Sequence, residues 1–180
     1  MKGVVFNLLE EILSQEHGED LWDDVLASAG LGGAYTSLGS YPDADFFALV
    51  SVASRALDTP PEDLVRWFGR QAMPLFAQNY PGLFARYSSA RPFVGALNDI
   101  IHPEVRKLYP GADVPEFDFD TSRDDVLVMG YHSSRRLCAF AEGLIEGAAA
   151  HYGERVSISQ PECMNQGHDR CIIEIAFKPA

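Results

Sequence analysis

The sequence predicts an α+β fold, in which a helical N-terminal part precedes a four-stranded antiparallel sheet with one crossing helix. Three observations predict it. Apolar residues recur at helical spacing through the first two-thirds of the chain, and beyond "YPGADVP" the period changes to two. One long helical run then interrupts the alternating segments, the order strand, strand, helix, strand, strand.

In "MKGVVFNLLEEILSQ", Val4, Val5, Leu8, Leu9 and Ile12 share helical spacing, with Glu10, Glu11 and Gln15 elsewhere around the helix. Helical patterns follow at about 19–29, 43–57, 61–78 and 92–109. The Pro-containing stretches "SLGSYPDADFF" and "DTPPEDL" separate three of them and carry cap signals. In the last pattern, Pro103 disfavours helical geometry at His102, so a kink or a helix restart is expected there. Candidate strands are Phe117–Phe119, Val126–Tyr131, Arg155–Ser159 and Cys171–Phe177. Ser133 or Ser134 is placed to cap the interrupting helix, which would run from about Arg135 to Tyr152 and stop at Gly153.

With 180 residues and 47% hydrophobic content, the chain suits one domain or one domain with two lobes. Its formal charge of -12, with no basic run interleaved with aromatics, argues against a nucleic-acid surface. No apolar stretch reaches the ~18 to 20 residues of a membrane span. "EE" interrupts the short N-terminal apolar run and no small-residue cleavage site follows, which reads as a helix and not a signal peptide. Three cysteines do not make a secreted disulfide framework, so a cytoplasmic location is expected.

In "VLVMGYHSSRRLC", Tyr131, Ser133 and Arg135 alternate and would point to one side of an extended chain. Two hydroxyls and a planar guanidinium, with no carboxylate in the stretch, suit a carboxylate or a phosphate. The plainer alternative is a strand end whose Ser caps a helix while Arg135 faces water. His102 flanks the apolar stripe of Leu97, Ile101, Val105 and Leu108, where a satisfied structural histidine is the ordinary reading.

Taken together, "HPEVRKLYPGADVPEF" followed by "YHSSRR" resembles the haem–nitric oxide/oxygen-binding (H-NOX) family, also found as the haem domain of soluble guanylate cyclase. "MKGVVFNLLEE", "LGSYPD" and "LIEGAAAHYG" share the resemblance, which spans essentially the whole chain in order. It implies haem b held between a distal helical part, about 1–60, and an α+β part, about 61–180. His102 would ligate the iron, Tyr131, Ser133 and Arg135 would bind the propionates, and Pro115 would distort the macrocycle. Val4, Val5, Leu8 and Leu9, with Phe76, Tyr80, Phe140 and Leu144, would line the pocket. Phe140 stands where oxygen-binding members carry a tyrosine, and Ala72 where some carry another polar or aromatic neighbour. The implied activity is that of a non-catalytic sensor that binds NO and CO and excludes oxygen. It would signal through loss of the His102–iron bond to a histidine kinase or a cyclic-di-GMP enzyme.

Cys138, Cys163 and Cys171 resemble a set that binds zinc with a histidine in some members. Here Gln160 stands at the histidine's place and His168 is the nearby substitute. Competing readings are a haem-free small-molecule module of the vinyl-reductase-like type and a zinc or thiol redox switch. A haem enzyme such as a peroxidase would want distal acid–base residues, which the expected pocket does not offer.

Overall fold

The computed structural model describes residues 1–179. Helices α1 (Gly3–His17), α2 (Glu19–Ala29), α3 (Asp43–Ala56) and α4 (Pro61–Asn79) form the N-terminal part. Two short helices follow, α5 (Pro81–Phe84) and α6 (Ala90–Gly95), then a π-helical turn at Leu97–Ile101 and α7 (His102–Leu108). Strands β1 (Glu116–Asp120), β2 (Leu127–His132), β3 (Glu154–Glu162) and β4 (Cys171–Pro179) form one antiparallel sheet in the order β1-β2-β4-β3. Helix α8 (Cys138–His151) crosses between β2 and β3. The expected fold class is the observed one.

The pattern at 92–109 is met as α6, a π turn that ends at Ile101, and α7, which restarts at His102 as expected beside Pro103, although His102 itself is helical at φ -64° and ψ -39°. Pro103 has no N–H to give the turn before it, which suits the boundary between the two helical forms. Helix α8 begins three residues later than expected, and neither Ser133 nor Ser134 caps it. Arg136 takes a left-handed φ of 52°, which turns the chain after the strand and delays the helix. The Leu137 N–H, just ahead of α8, donates instead to the Tyr131 hydroxyl at 3.1 Å. Ser133 Oγ accepts the Arg135 N–H at 3.3 Å, a local turn of the kind serine favours. The expected stop at Gly153 is met, with φ of 69° that glycine adopts freely.

Two apolar cores share helix α4. Leu64, Val65 and Phe68 pack with Phe6, Leu9, Ile12, Val25, Phe46 and Leu49 of α1–α3. Further along the same helix, Met73 packs with Met129, Tyr131, Ile145, Ile173 and Ile175 between α8 and the sheet. The α4–α8 crossing is made close by glycines on both helices. A Cβ on Gly143 would lie 1.9 Å from the Arg66 carbonyl oxygen, and one on Gly69 would lie 2.5 Å from that of Phe140. At Gly147 a Cβ would meet Met73 Cβ at 2.5 Å and the Arg70 oxygen at 2.8 Å. Pro74, inside α4, has no N–H to offer that Arg70 carbonyl. Arg66 spans the crossing, 2.7 Å from Glu142 and 2.6 Å from Glu146.

Gly143→Ala should therefore force the helices apart and cost about 1–3 kcal/mol, as overpacking does. Urea denaturation reads the loss as a lowered midpoint. Gly82→Ala, where an added Cβ meets nothing within 4 Å, is the control expected within about 0.5 kcal/mol of wild type.

Candidate functional site

Between the two cores lies a cavity of about 420 Å³. Its wall is mostly hydrocarbon, because several apolar residues of the helices are only partly covered by protein. Val4 and Val5 come from the first turn of α1, Met73 and Phe76 from α4, and Phe140, Leu144 and Ile145 from α8. Phe140 stacks on the buried Phe68, ring centroids 5.1 Å apart, which holds its ring in place.

Two groups of polar residues on the wall bear on ligand binding. His102, at the start of α7, lines the cavity and stacks on Phe117 of β1 at 5.3 Å. Burial, with Arg106 nearby, lowers its imidazole to about 4, so the ring is neutral near pH 7. A neutral imidazole with no hydrogen-bond partner among the described residues suits a transition metal as ligand. The second group is Tyr131, Ser133 and Arg135, all three on the cavity wall, with Pro115 entering β1 beside them. Tyr131 is 1% and Ser133 8% exposed. Burial pushes the Tyr131 phenol up to about 12, against hydrogen bonds with Ser133 and the Leu137 N–H. Its O–H remains a donor at pH 7.

Sequence reasoning missed the carboxylates that hold Arg135. Nε donates to Asp43 Oδ2 at 2.9 Å and Nη1 to the Asp113 carbonyl at 2.7 Å, with Asp113 Oδ2 at 3.1 Å. Asp43 opens α3 and also accepts from the Met1 amino group at 2.6 Å. Burial alone would raise the Asp43 carboxyl, but the bonds from Met1 and Arg135 outweigh it and hold it below the usual range. Arg135 Nη2 makes no bond to protein among the described residues and is left for an anion at the cavity edge.

Of the expected site residues, His102, Pro115, Tyr131, Ser133, Arg135, Val5, Phe76, Phe140 and Leu144 surround this one cavity. Leu9 does not line it. It is 1% exposed within the core of α1–α3, as is Leu8 at 4%, because the cavity reaches only the first turn of α1. Ala72 is likewise in that core. Tyr80 lines the cavity, but its hydroxyl bonds that of Tyr109.

Cys138, Cys163 and Cys171 converge separately, buried beneath the sheet, with their sulfurs all within 4.8 Å of one another. Cys138 Sγ and Cys163 Sγ are 3.7 Å apart. Burial pushes the Cys138 thiol up to about 12 and the Cys171 thiol upward too, so without a cation these sulfurs keep their protons. Gln160 stands beside Cys138, where its buried amide can donate to the sulfur once that is a thiolate. The His168 ring faces the Cys163 backbone, its Nδ1 3.3 Å from the N and 3.2 Å from the O.

Comparison with known proteins decides the family. The Haem-NO-binding family matches residues 2–160. This chain belongs to the H-NOX family. H-NOX domains are haem-binding gas sensors. The cavity offers one uncharged imidazole, with hydroxyl and guanidinium groups at its edge that suit carboxylates. The chain is similar to an H-NOX protein from S. oneidensis crystallised in the Fe(II)NO state, with 30% identity, 99% of each chain covered and a TM-score of 0.93. It is also similar to an H-NOX from Shewanella woodyi in the Fe(II)CO state, bound to IWP-051, at 32% identity over 100% of this chain and 95% of that one, TM-score 0.84. The Fe(II) unliganded H-NOX from K. algicida is 26% identical over 100% and 98% of the two chains, TM-score 0.90. Among the described residues, no helix is long and apolar enough to cross a membrane.

The depressed Asp43 carboxyl links stability to pH. A carboxyl that ionises more readily when folded adds stability that is full above its unfolded pKa of about 3.9. That stability is lost as pH falls through the lower folded value. Wild type should therefore melt above Asp43→Asn at pH 6, with the difference vanishing in strong acid. A difference in Tm that persists unchanged to pH 2 would contradict this link.

Proposed function

We propose that this H-NOX domain is a ferrous haem sensor selective for NO, with haem b held through His102 and the Tyr131/Ser133/Arg135 clamp. When bound, the haem supplies the iron at which the gas is captured. Tyr131 and Ser133 would donate to propionate oxygens, and Arg135 would add its unused Nη2 donors while Asp43 and Asp113 keep the guanidinium aligned. Pro115, on the wall beside the clamp, is the residue proposed to press the macrocycle out of plane. The division near residue 60 into a distal helical part and a haem-holding part belongs to the same reading.

The observation that carries NO selectivity is the chemistry of the wall. Among the described residues, α1, α4 and α8 contribute Val4, Val5, Met73, Phe76, Phe140, Ala141, Leu144, Ile145 and Ala148 to the cavity, without one hydrogen-bond donor on a side chain, and the Tyr80 hydroxyl beyond α4 is engaged by that of Tyr109. Captured dioxygen gains partial negative charge and needs a donor, worth roughly 1.5–3 kcal/mol or one to two decades of affinity. NO and CO bind without it. Signalling would follow release of His102, which frees α7 for a second position that a separate histidine kinase or cyclic-di-GMP enzyme can read.

The expected spectra are specific. Reduced protein, freed of reductant and opened to air, should form no lasting oxygen complex, and NO should yield a five-coordinate species. His102→Gly should lose the axial bond and regain five-coordinate ferrous haem with added imidazole. A stable oxygen complex, or an NO complex that keeps His102 bound at room temperature, would overturn the selectivity and release readings. A wild-type protein with no Soret band after haem is supplied would overturn haem binding itself.

The thiol cluster supports a second, structural cation. Three converging thiols fit zinc better than they fit three idle thiols, since a cation would stabilise the thiolates that burial disfavours, and the Gln160 amide N–H beside Cys138 would donate to one of them. Elemental analysis of protein grown with zinc should give about one zinc per chain, and Cys163→Ser should abolish it. A metal-free wild type would leave the cluster as reduced thiols.

A further inference from the structure

Helix α7 carries the proposed iron ligand, yet beyond the packing of Val105 on the sheet-side core and of His102 on Phe117 little fastens it. None of its residues is fully buried, and Leu108 is 44% exposed. Its one internal ion pair, Lys107 to Glu104 at 2.8 Å, joins it to nothing else. Asn98, one turn earlier, bonds the Phe117 carbonyl at 2.6 Å and so anchors the π turn rather than α7. From His102 to Ala112, among the described residues, a single side-chain hydrogen bond reaches another element, and it joins the hydroxyls of Tyr109 and Tyr80. Tyr109 is the residue that ends α7, and Tyr80 is the residue that ends α4. Tyr109 is 9% exposed and Tyr80 half-buried, so water competes poorly for the bond.

We propose that the Tyr80–Tyr109 hydroxyl pair is the latch that fixes α7 against α4, and that these two tyrosines position His102 on the cavity wall. This rests on His102 being the iron ligand. The far ends matter here. The start of α7 is continuous with the π turn, so its N-terminus is already tied to the fold, while its C-terminus can swing unless something holds it. Helix α4 is the fixed partner, because its glycine crossing with α8 couples it to both cores. A bond between two uncharged hydroxyls suits a latch that must also open: it is directional and short-ranged, and leaves no buried charge behind when broken. Phenylalanine at either position keeps the ring and its packing, and removes only the bond.

The test uses Tyr109→Phe, Tyr80→Phe and the double variant in the full chain. Hydrogen–deuterium exchange at residues 104–108 should quicken about five- to tenfold in each single variant, with α8 exchange unchanged as evidence of intact folding. The double variant should be no faster than the singles, since one bond is lost in all three. In haem-loaded protein, NO should release His102 faster by a similar factor. Unchanged α7 exchange, or effects of the two substitutions that multiply, would overturn the latch. Faster exchange with an unaltered rate of His102 release would overturn its role in positioning His102. A wild type that takes up no haem would defeat the sensor reading instead, and the exchange arm alone would still decide whether the latch exists.

Discussion

The close crossing of α4 and α8 is the constraint on which the rest depends. Backbones that meet through Gly69, Gly143 and Gly147 leave no room for side chains at the contact, so the two helices behave as one brace. Everything else is hung from it. Helices α1–α3 pack on the first half of α4, and the sheet packs against α8 and the second half. Because the brace consumes the space between its own helices, the apolar faces it turns elsewhere have to be covered by other elements. Near the first turn of α1 they are not covered, and that unfilled space is the cavity.

The polar edge of the cavity is built on the same frame but from distant sequence. Arg135 follows β2, Asp113 precedes β1 and Asp43 begins α3, so three separate elements meet at one guanidinium. Its charge is balanced on one side by carboxylates of the protein and is open on the other through Nη2. A cation so placed keeps its orientation without a bound anion, which lowers the conformational entropy lost when one arrives.

Much of this was legible in the sequence, and the remainder has physical reasons for being hidden. Periodicity located the long helices and all four strands, since each has one face more covered than the other. It failed at α8, whose start depends on the left-handed Arg136 and on a hydroxyl six residues back, neither of which leaves a periodic trace. His102, Pro115 and the Tyr131/Ser133/Arg135 series stand out as residue types in order, and all line the cavity. Leu9 could not be told from Val5 in the same way. They share a face of α1, and only the depth of the cavity along the helix axis separates a wall residue from a core one. Asp43 lies 92 positions from Arg135, and nothing about an aspartate at a helix start distinguishes capping from ion pairing across the molecule.

The π turn ahead of His102 makes the site tolerant of one change in chain length and intolerant of the opposite one. Such a turn accommodates one residue more than the α-helix it interrupts. Deleting one position from Leu97 to Ile101 would let the turn close as ordinary α-helix and leave the later side chains nearly in phase. Adding a residue there, where the slack is already used, would rotate every later side chain about the axis by roughly 100°. His102 would then be carried off the wall it shares with Phe117, although the ring, its neighbours in sequence and Pro103 were all intact. Within the turn, the buried Ile101 and the bond from Asn98 to the Phe117 carbonyl hold that phase in place.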